Sequence, residues 1–129
     1  MAEKTVIRTE KAAGPVAGAP YSQAIVVGDL VFVAGQLGVR PDGSGYAGAT
    51  IEEQTEQIMQ NMGAILEAAG SGLDKLVKTT VFLASLGDFQ AMNGVYAKHV
   101  GAAPPARSTF EVGGLPAGAL VEIEAIAHR

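Results

Sequence analysis

The 129-residue chain contains no cysteine. Disulfides, thiolate nucleophiles and cysteine-ligated metals are therefore excluded, and a cytoplasmic location is the expectation that fits this absence. Long apolar runs are missing too. Stretches such as Leu30-Val31-Phe32-Val33-Ala34 are strand-sized, far short of the ~20 residues a helix needs to cross a bilayer, so no membrane partner is expected. Met1-Ala2-Glu3-Lys4 leads into a short strand-like run and not into the apolar core of a signal peptide. Histidine is scarce: His99 and His128 have no ligand-like spacing, so no metal site is expected. There is no G-x-S-x-G nucleophile elbow and no G-x-x-x-x-G-K-[ST] phosphate loop. Nine Lys and Arg stand against thirteen Asp and Glu, for a net charge of −4, and the basic residues are scattered. Nucleic-acid affinity comes largely from counterions displaced by a basic stripe, so no nucleic-acid partner is expected.

What is present reads as one globular domain spanning 1–129: hydrophobic residues make up 48% and charged residues 17%. Strands are expected over 4–9, 22–27, 30–36, 76–84, 107–112 and 120–127, with Gly28-Asp29 turning a hairpin. A Gly/Pro/Ala loop fills 14–20. A helix is expected over 51–69, because Thr50 and Glu53 have capping-box spacing. Ile58, Met62, Ile65, Leu66 and Ala69 then repeat at helical intervals, and Gly70 stops the helix. Ser85 with Asp88 resembles a second helix start, followed by an apolar stripe of Phe89, Met92, Tyr96 and Val100 up to Gly101. His99 falls in the last turn, where it favours the helix dipole. The order β-β-β-α-β-α-β-β predicts an α+β fold: a six-stranded mixed sheet with two helices on one face.

Two helices cover only one face of such a sheet. By alternation, Val77, Val81 and Leu83 face one way and Leu76 and Phe82 the other. In the last strand Val121, Ile123, Ala125 and Ala127 oppose Leu120, Glu122, Glu124 and Ile126. The second face would leave a large apolar patch in a monomer, so a homo-oligomer is expected; a half-solvated antiparallel sheet is the alternative.

Gly43-Ser44-Gly45-Tyr46-Ala47-Gly48 satisfies G-x-G-x-x-G, but a dinucleotide site needs a strand before it, a helix opening inside it and an acid ~20 residues later. Pro41-Asp42-Gly43 precedes it, the helix begins after it, and Ala68-Ala69-Gly70 stands where the acid would be. It reads as a glycine-rich turn. The most informative segment is Pro104-Pro105-Ala106-Arg107-Ser108-Thr109-Phe110-Glu111-Val112. Two prolines stiffen the entry to a strand, and Arg107, Thr109 and Glu111 share a face. Arg107 there can grip a carboxylate with its planar fork, or pair with a nearby glutamate. Glu122 and Glu124 point to the partly buried face. Each can be a surface residue, an ion-pair partner for Arg107, or a group that orients water.

Taken together, these segments resemble the RidA/YjgF reactive-intermediate deaminase family, also called L-PSP endoribonuclease-like. The resemblance covers nearly the whole chain. It rests on Pro20-Tyr21-Ser22-Gln23-Ala24, Gly35-Gln36, Val77-Lys78-Thr79-Thr80-Val81-Phe82-Leu83, Asp88-Phe89 with Met92-Asn93 and Tyr96, Pro105-Ala106-Arg107-Ser108, and Glu122-Ile123-Glu124-Ala125-Ile126-Ala127. It implies a chorismate-mutase-like homotrimer with active sites between subunits. It implies hydrolysis of 2-imino or enamine acids such as 2-aminoacrylate and 2-iminobutyrate to 2-keto acids and ammonia, with no cofactor. Under that resemblance Arg107 clamps the substrate carboxylate and Glu122 orients or activates water. Tyr21 closes the pocket, the Gly35 carbonyl faces the imine nitrogen, Asn93 lies at the rim, and the Thr109 backbone, where relatives often have cysteine, helps hold substrate or water. Two departures bear on the pocket: Ala34 stands where many relatives carry serine, and Ala17-Gly18-Ala19-Pro20 replaces a more usual Gly-Pro pair. An endoribonuclease or translation inhibitor, and a non-catalytic small-molecule-binding or holdase-like protein, are the competing readings on the same fold.

Overall fold

The computed structural model describes residues 3–129. The expected elements are present in the expected order: β1 (Lys4–Ile7), β2 (Ala24–Val27), β3 (Leu30–Gln36), α1 (Ile51–Ala68), β4 (Leu76–Leu83), α2 (Phe89–Val100), β5 (Ala106–Glu111) and β6 (Val121–His128). The six strands form one mixed sheet in the order β1-β2-β3-β6-β4-β5. Only β4 and β5 run parallel, because α2 carries the chain back between them as a crossover. Strand β6, last in sequence, sits between β3 and β4 and pairs antiparallel with both.

The ends of α1 follow from its local chemistry. Thr50 Oγ1 accepts from the Glu53 N–H at 3.1 Å, and Glu53 Oε1 accepts from the Thr50 N–H at 3.2 Å. This reciprocal box satisfies two N–H groups that have no partner inside the helix. Past Ala69, Gly70 takes φ +78°, a conformation costly for any residue with a Cβ. The start of α2 differs from expectation. The Ser85 side chain accepts from the Gly87 N–H, capping a single 3-10 turn at Leu86–Asp88 ahead of the α-helix.

One sheet face packs against both helices. Ile58, Met62 and Ile65 of α1 and Met92 of α2 are fully buried against Val81, Leu83, Val121 and Ile123. Simple alternation misplaces the start of β4. Leu76 pairs with Ala127 and Lys78 with Ile126, so Val77 is an extra residue in a β-bulge. The bulge resets the phase: Leu76 joins Val81 and Leu83 in the core, and Val77 is left exposed.

The other face has no helix. Val6, Ile25, Phe32 and Ile126 lie in one row across four strands by pairing register, and Phe82 and Phe110 meet edge-to-face at 5.4 Å. Val6, Leu30, Phe32 and Phe110 are all exposed in the single chain. Among the described residues no helix is long and apolar enough to cross a membrane.

Candidate active site

The pairing register decides where the two candidate charged groups point. Arg107 pairs with Thr79, which is buried on the helix side of the sheet. Glu122 pairs with Phe82 and therefore lies on the open side. The two residues occupy opposite faces, so the intrachain ion pair that residue type allowed for Arg107 does not form. Glu111, its neighbour on the same face, is engaged elsewhere, its Oε1 accepting from the Leu86 N–H at 2.9 Å.

Arg107 is held by aromatic rings. Its guanidinium carbon lies 4.9 Å from the Tyr96 ring centroid and 5.6 Å from that of Phe89. Such cation–π contacts are worth about 0.5–2 kcal/mol each, depending on desolvation. The Tyr96 hydroxyl is itself tied to Thr79 Oγ1 at 2.7 Å in the core, which locks α2 to β4 and fixes the ring. The fork of Arg107 makes no ion pair among the described residues. Two more polar atoms near it lack partners. Asn93, on the α2 face that carries Phe89 and Tyr96, buries Oδ1, and Thr109, two residues along β5, buries Oγ1; neither atom has a hydrogen bond. Buried polar atoms are nearly always satisfied, so two unpaired buried oxygens beside an arginine without an ion pair make this patch a candidate surface for a polar partner.

The other candidates gather around a cleft of about 890 Å³ lined by Tyr21, Gly35, Tyr46, Pro116 and Glu122 among others. Its floor is the end of β3 and the Glu122 carboxyl. Gly35 leaves room for that carboxyl: a Cβ would overlap Glu122 Oε2 and stand 2.9 Å from Cδ unless the side chain withdrew. Burial pushes the Glu122 carboxyl above the ordinary glutamate range, and the like charge of Glu124 adds to the rise.

Buried polar groups of α1 hold one wall. Asn61 Nδ2 donates to the Val39 carbonyl at 2.9 Å, and Gln54 Nε2 donates to the Gly48 carbonyl at 3.2 Å while its Oε1 accepts from the Leu120 N–H at 3.0 Å. Gly38 lets this wall sit on the helix, since a Cβ would come within 2.7 Å of the Gln54 carbonyl oxygen. The opposite wall depends on buried Gln23. Its Oε1 accepts from the Thr9 N–H at 2.7 Å, and its Nε2 donates to the carbonyls of Thr9, Ala12 and Ala13 at 3.0, 3.3 and 3.0 Å.

Each wall carries a tyrosine, and the two differ chemically. The Tyr21 hydroxyl accepts from the Val16 N–H at 3.1 Å, so its own proton remains free to donate into the cleft. The Tyr46 hydroxyl donates to the Pro116 carbonyl at 2.8 Å, so its proton is already used. Tyr46 is a lining residue that sequence reasoning missed, because it sits inside the glycine-rich segment. That segment is a turn, as expected, with an isolated bridge from Val39 to Tyr46. His99 is engaged structurally: its Nε2 lies 2.8 Å from Glu56 Oε1, linking α2 to α1. Among the described residues no three potential ligands cluster for a metal ion.

The structure thus assembles Tyr21, Gly35 and Glu122 in one cleft and Arg107, Asn93 and Thr109 on a separate patch. An arginine without an ion pair and a carboxylate whose pKa is raised by burial make a candidate small-molecule site on this two-layer frame, and comparison with known proteins narrows the class. Residues 11–129 match the family described as Endoribonuclease L-PSP. The chain is 49% identical over 125 residues to "Reactive Intermediate Deaminase A, chloroplastic" of Arabidopsis thaliana, covering 97% of this chain and 66% of that protein. It is 40% identical over 124 residues to "2-iminobutanoate/2-iminopropanoate deaminase" of Homo sapiens, covering 96% and 89%. The solved RidA of the Antarctic bacterium Psychrobacter superposes with a TM-score of 0.92 at 39% identity, covering 97% and 99% of the two chains. The chain belongs to the RidA/YjgF family.

Proposed function

We propose that this protein hydrolyses 2-imino and enamine acids, including 2-aminoacrylate and 2-iminobutyrate, to 2-keto acids and ammonia, as a cytoplasmic homotrimer with sites between subunits. The observation that carries the proposal is the placement of Arg107 and Glu122 on opposite faces of one sheet. Neither can reach a small ligand held by the other within one chain. The exposed apolar face around Phe32 and Phe110 supplies a reason to associate, and association in a closed ring brings the Arg107 patch of one copy to the Glu122 cleft of the next.

In such a site Arg107 holds the substrate carboxylate through two parallel hydrogen bonds. The protonated imine carbon is already electrophilic, so positioning and one base suffice without a metal or cofactor. The Gly35 carbonyl stabilises the cationic nitrogen. Glu122, ionised, takes a proton from water as the oxygen attacks carbon, then returns it to nitrogen. The C–N bond breaks, ammonia leaves, and the remaining hydroxyl proton is lost as the keto group forms. Tyr21 keeps its proton and donates a hydrogen bond with it to the substrate or the forming oxygen. Asn93 and Thr109 complete the rim on the Arg107 side.

The test generates 2-iminobutyrate in situ from threonine with a dehydratase and traps it with semicarbazide. The wild-type protein suppresses trapping. Arg107→Ala does not, and Arg107→Lys largely fails because a point charge lacks the fork. Equal trapping with and without wild-type protein refutes the proposal. The family's description favours a second reading, RNA cleavage. Net charge −4 opposes it, and salt-dependent cleavage lost in Arg107→Ala would restore it.

A further inference from the structure

The wall of the cleft facing Tyr21 contains an arrangement that the proposed chemistry does not use. Pro116–Gly118 forms a single 3-10 turn just before β6. Within it Ala117 adopts φ 51° and ψ 32°, the only positive φ of a non-glycine residue among the described residues. A residue with a Cβ pays of order 1 kcal/mol or more to remain there. Two hydrogen bonds meet on the Pro116 carbonyl: the Ala119 N–H closes the turn locally at 3.0 Å, and the Tyr46 hydroxyl, 70 residues away in sequence, anchors it to the rest of the cleft at 2.8 Å. The tie is made in the cleft itself: Tyr46, Pro116, Ala117 and Glu122 all line it. The Tyr46 ring is half-buried, and the charge of Glu122 is near enough to help raise the Tyr46 hydroxyl's pKa, behind burial as the larger cause.

We infer that Tyr46 sets substrate specificity: its ring is the wall against which the side chain of the imino acid packs, and its hydroxyl keeps the strained 116–118 turn closed over Glu122. The hydroxyl has no proton left for the substrate, so its contribution to the ligand is apolar. Together with Leu37 and Val39, which also line the cleft, the Tyr46 ring limits the volume left for the substrate side chain. Imines of small amino acids fit beneath the closed turn. Branched or aromatic side chains require the ring to move. Removing the ring lets them in, and removing only the hydroxyl leaves the limit but loosens the turn.

The inference rests on the proposed imine hydrolysis, so its test includes a reading that needs no turnover. Imines of alanine and of leucine are generated in situ with an amino-acid oxidase, and suppression of semicarbazide trapping gives kcat/KM for each. Binding of the corresponding keto acids, pyruvate and 4-methyl-2-oxopentanoate, is measured by calorimetry on the same proteins. Tyr46→Ala is expected to shift the leucine-to-alanine preference toward leucine by about tenfold, the scale of a pocket gaining or losing apolar groups, in both turnover and binding. Tyr46→Phe keeps the wild-type preference but raises KM for both imines. Tyr46→Leu repeats the comparison with a smaller apolar side chain should the alanine variant unfold. An unchanged preference in Tyr46→Ala or Tyr46→Leu overturns the inference. If wild type hydrolyses neither imine, the proposed function fails, and the keto-acid binding preference alone decides the role of Tyr46.

Discussion

Replacing Gly35 by alanine is the sharpest local perturbation of the cleft. Gly35 has no unusual φ to protect; its missing side chain leaves room for the Glu122 carboxyl. An added Cβ would overlap Oε2, with Cδ at 2.9 Å and Cγ at 3.2 Å. Ordinary carbon contacts lie near 3.5–4.0 Å, so the carboxyl must withdraw by about 1 Å or more. The obstacle is the far end of a flexible side chain and not backbone, so the fold survives with a stability change within about 1 kcal/mol. The chemistry does not. A shift of about 1 Å in a catalytic group can cost on the order of 100-fold in rate. Gly35→Ala should therefore lose about 100-fold in kcat/KM for imine hydrolysis, with a nearly unchanged melting temperature and a KM that moves little, because the proposed grip of Arg107 on the carboxylate is untouched. Steady-state kinetics by semicarbazide trapping, with thermal melting alongside, checks this. A Gly35→Ala protein with wild-type kcat would refute the placement of Glu122 at the reacting carbon.

Other consequences concern charge and scaffolding. If Glu122 acts as the proposed base, activity should climb with pH on an acid limb whose midpoint lies above the ordinary glutamate value, because burial and then Glu124 raise its pKa. Glu124→Gln removes the smaller cause and should move that limb to lower pH in a pH–rate profile. The same raised pKa costs stability once the group ionises: folding weakens as pH rises from the unfolded carboxylate pKa through the higher folded one. Glu122→Gln should therefore melt higher than wild type near pH 7 and show no such gain below pH 4, read by calorimetry. Gln23→Ala leaves the Thr9 N–H without its acceptor and the carbonyls of Thr9, Ala12 and Ala13 without the two N–H groups they share, in a buried site. It should cost about 2–3 kcal/mol of stability in denaturant titration and loosen the Tyr21 wall.

Much of the fold could be read in the sequence because local signals agree with the tertiary structure. Thr50, Glu53 and Gly70 mark the ends of α1 by cap chemistry, and alternation in β6 separates Val121, Ile123, Ala125 and Ala127 from Glu122 and Glu124 as observed. Alternation breaks within two strands, at the register shifts between Val33 and Gln36 in β3 and between Leu76 and Lys78 in β4. A bulge inserts one residue without a composition signature, so Val77 and Leu76 exchanged faces relative to simple alternation. The candidate site was less legible for a related reason. Alternation shows which residues share a face within one strand, but only register between strands shows that Arg107 and Glu122 face apart. Tyr46 escaped because its role depends on Pro116, and nothing local connects a glycine-rich turn to a residue so distant in sequence. Asn93 and Thr109 entered through family resemblance; their unpaired buried oxygens are visible only in three dimensions.

The central claim is that one catalytic site draws Arg107 from one copy and Glu122 from another. Arg107→Ala and Glu122→Gln are each expected to be inactive alone. Unfolded together in equal amounts and refolded, they should form mixed assemblies in which about one quarter of the interfaces join an intact Arg107 to an intact Glu122. The mixture should recover about one quarter of wild-type activity per site. A mixture that co-assembles, by native mass spectrometry, yet stays as inactive as its components would contradict it.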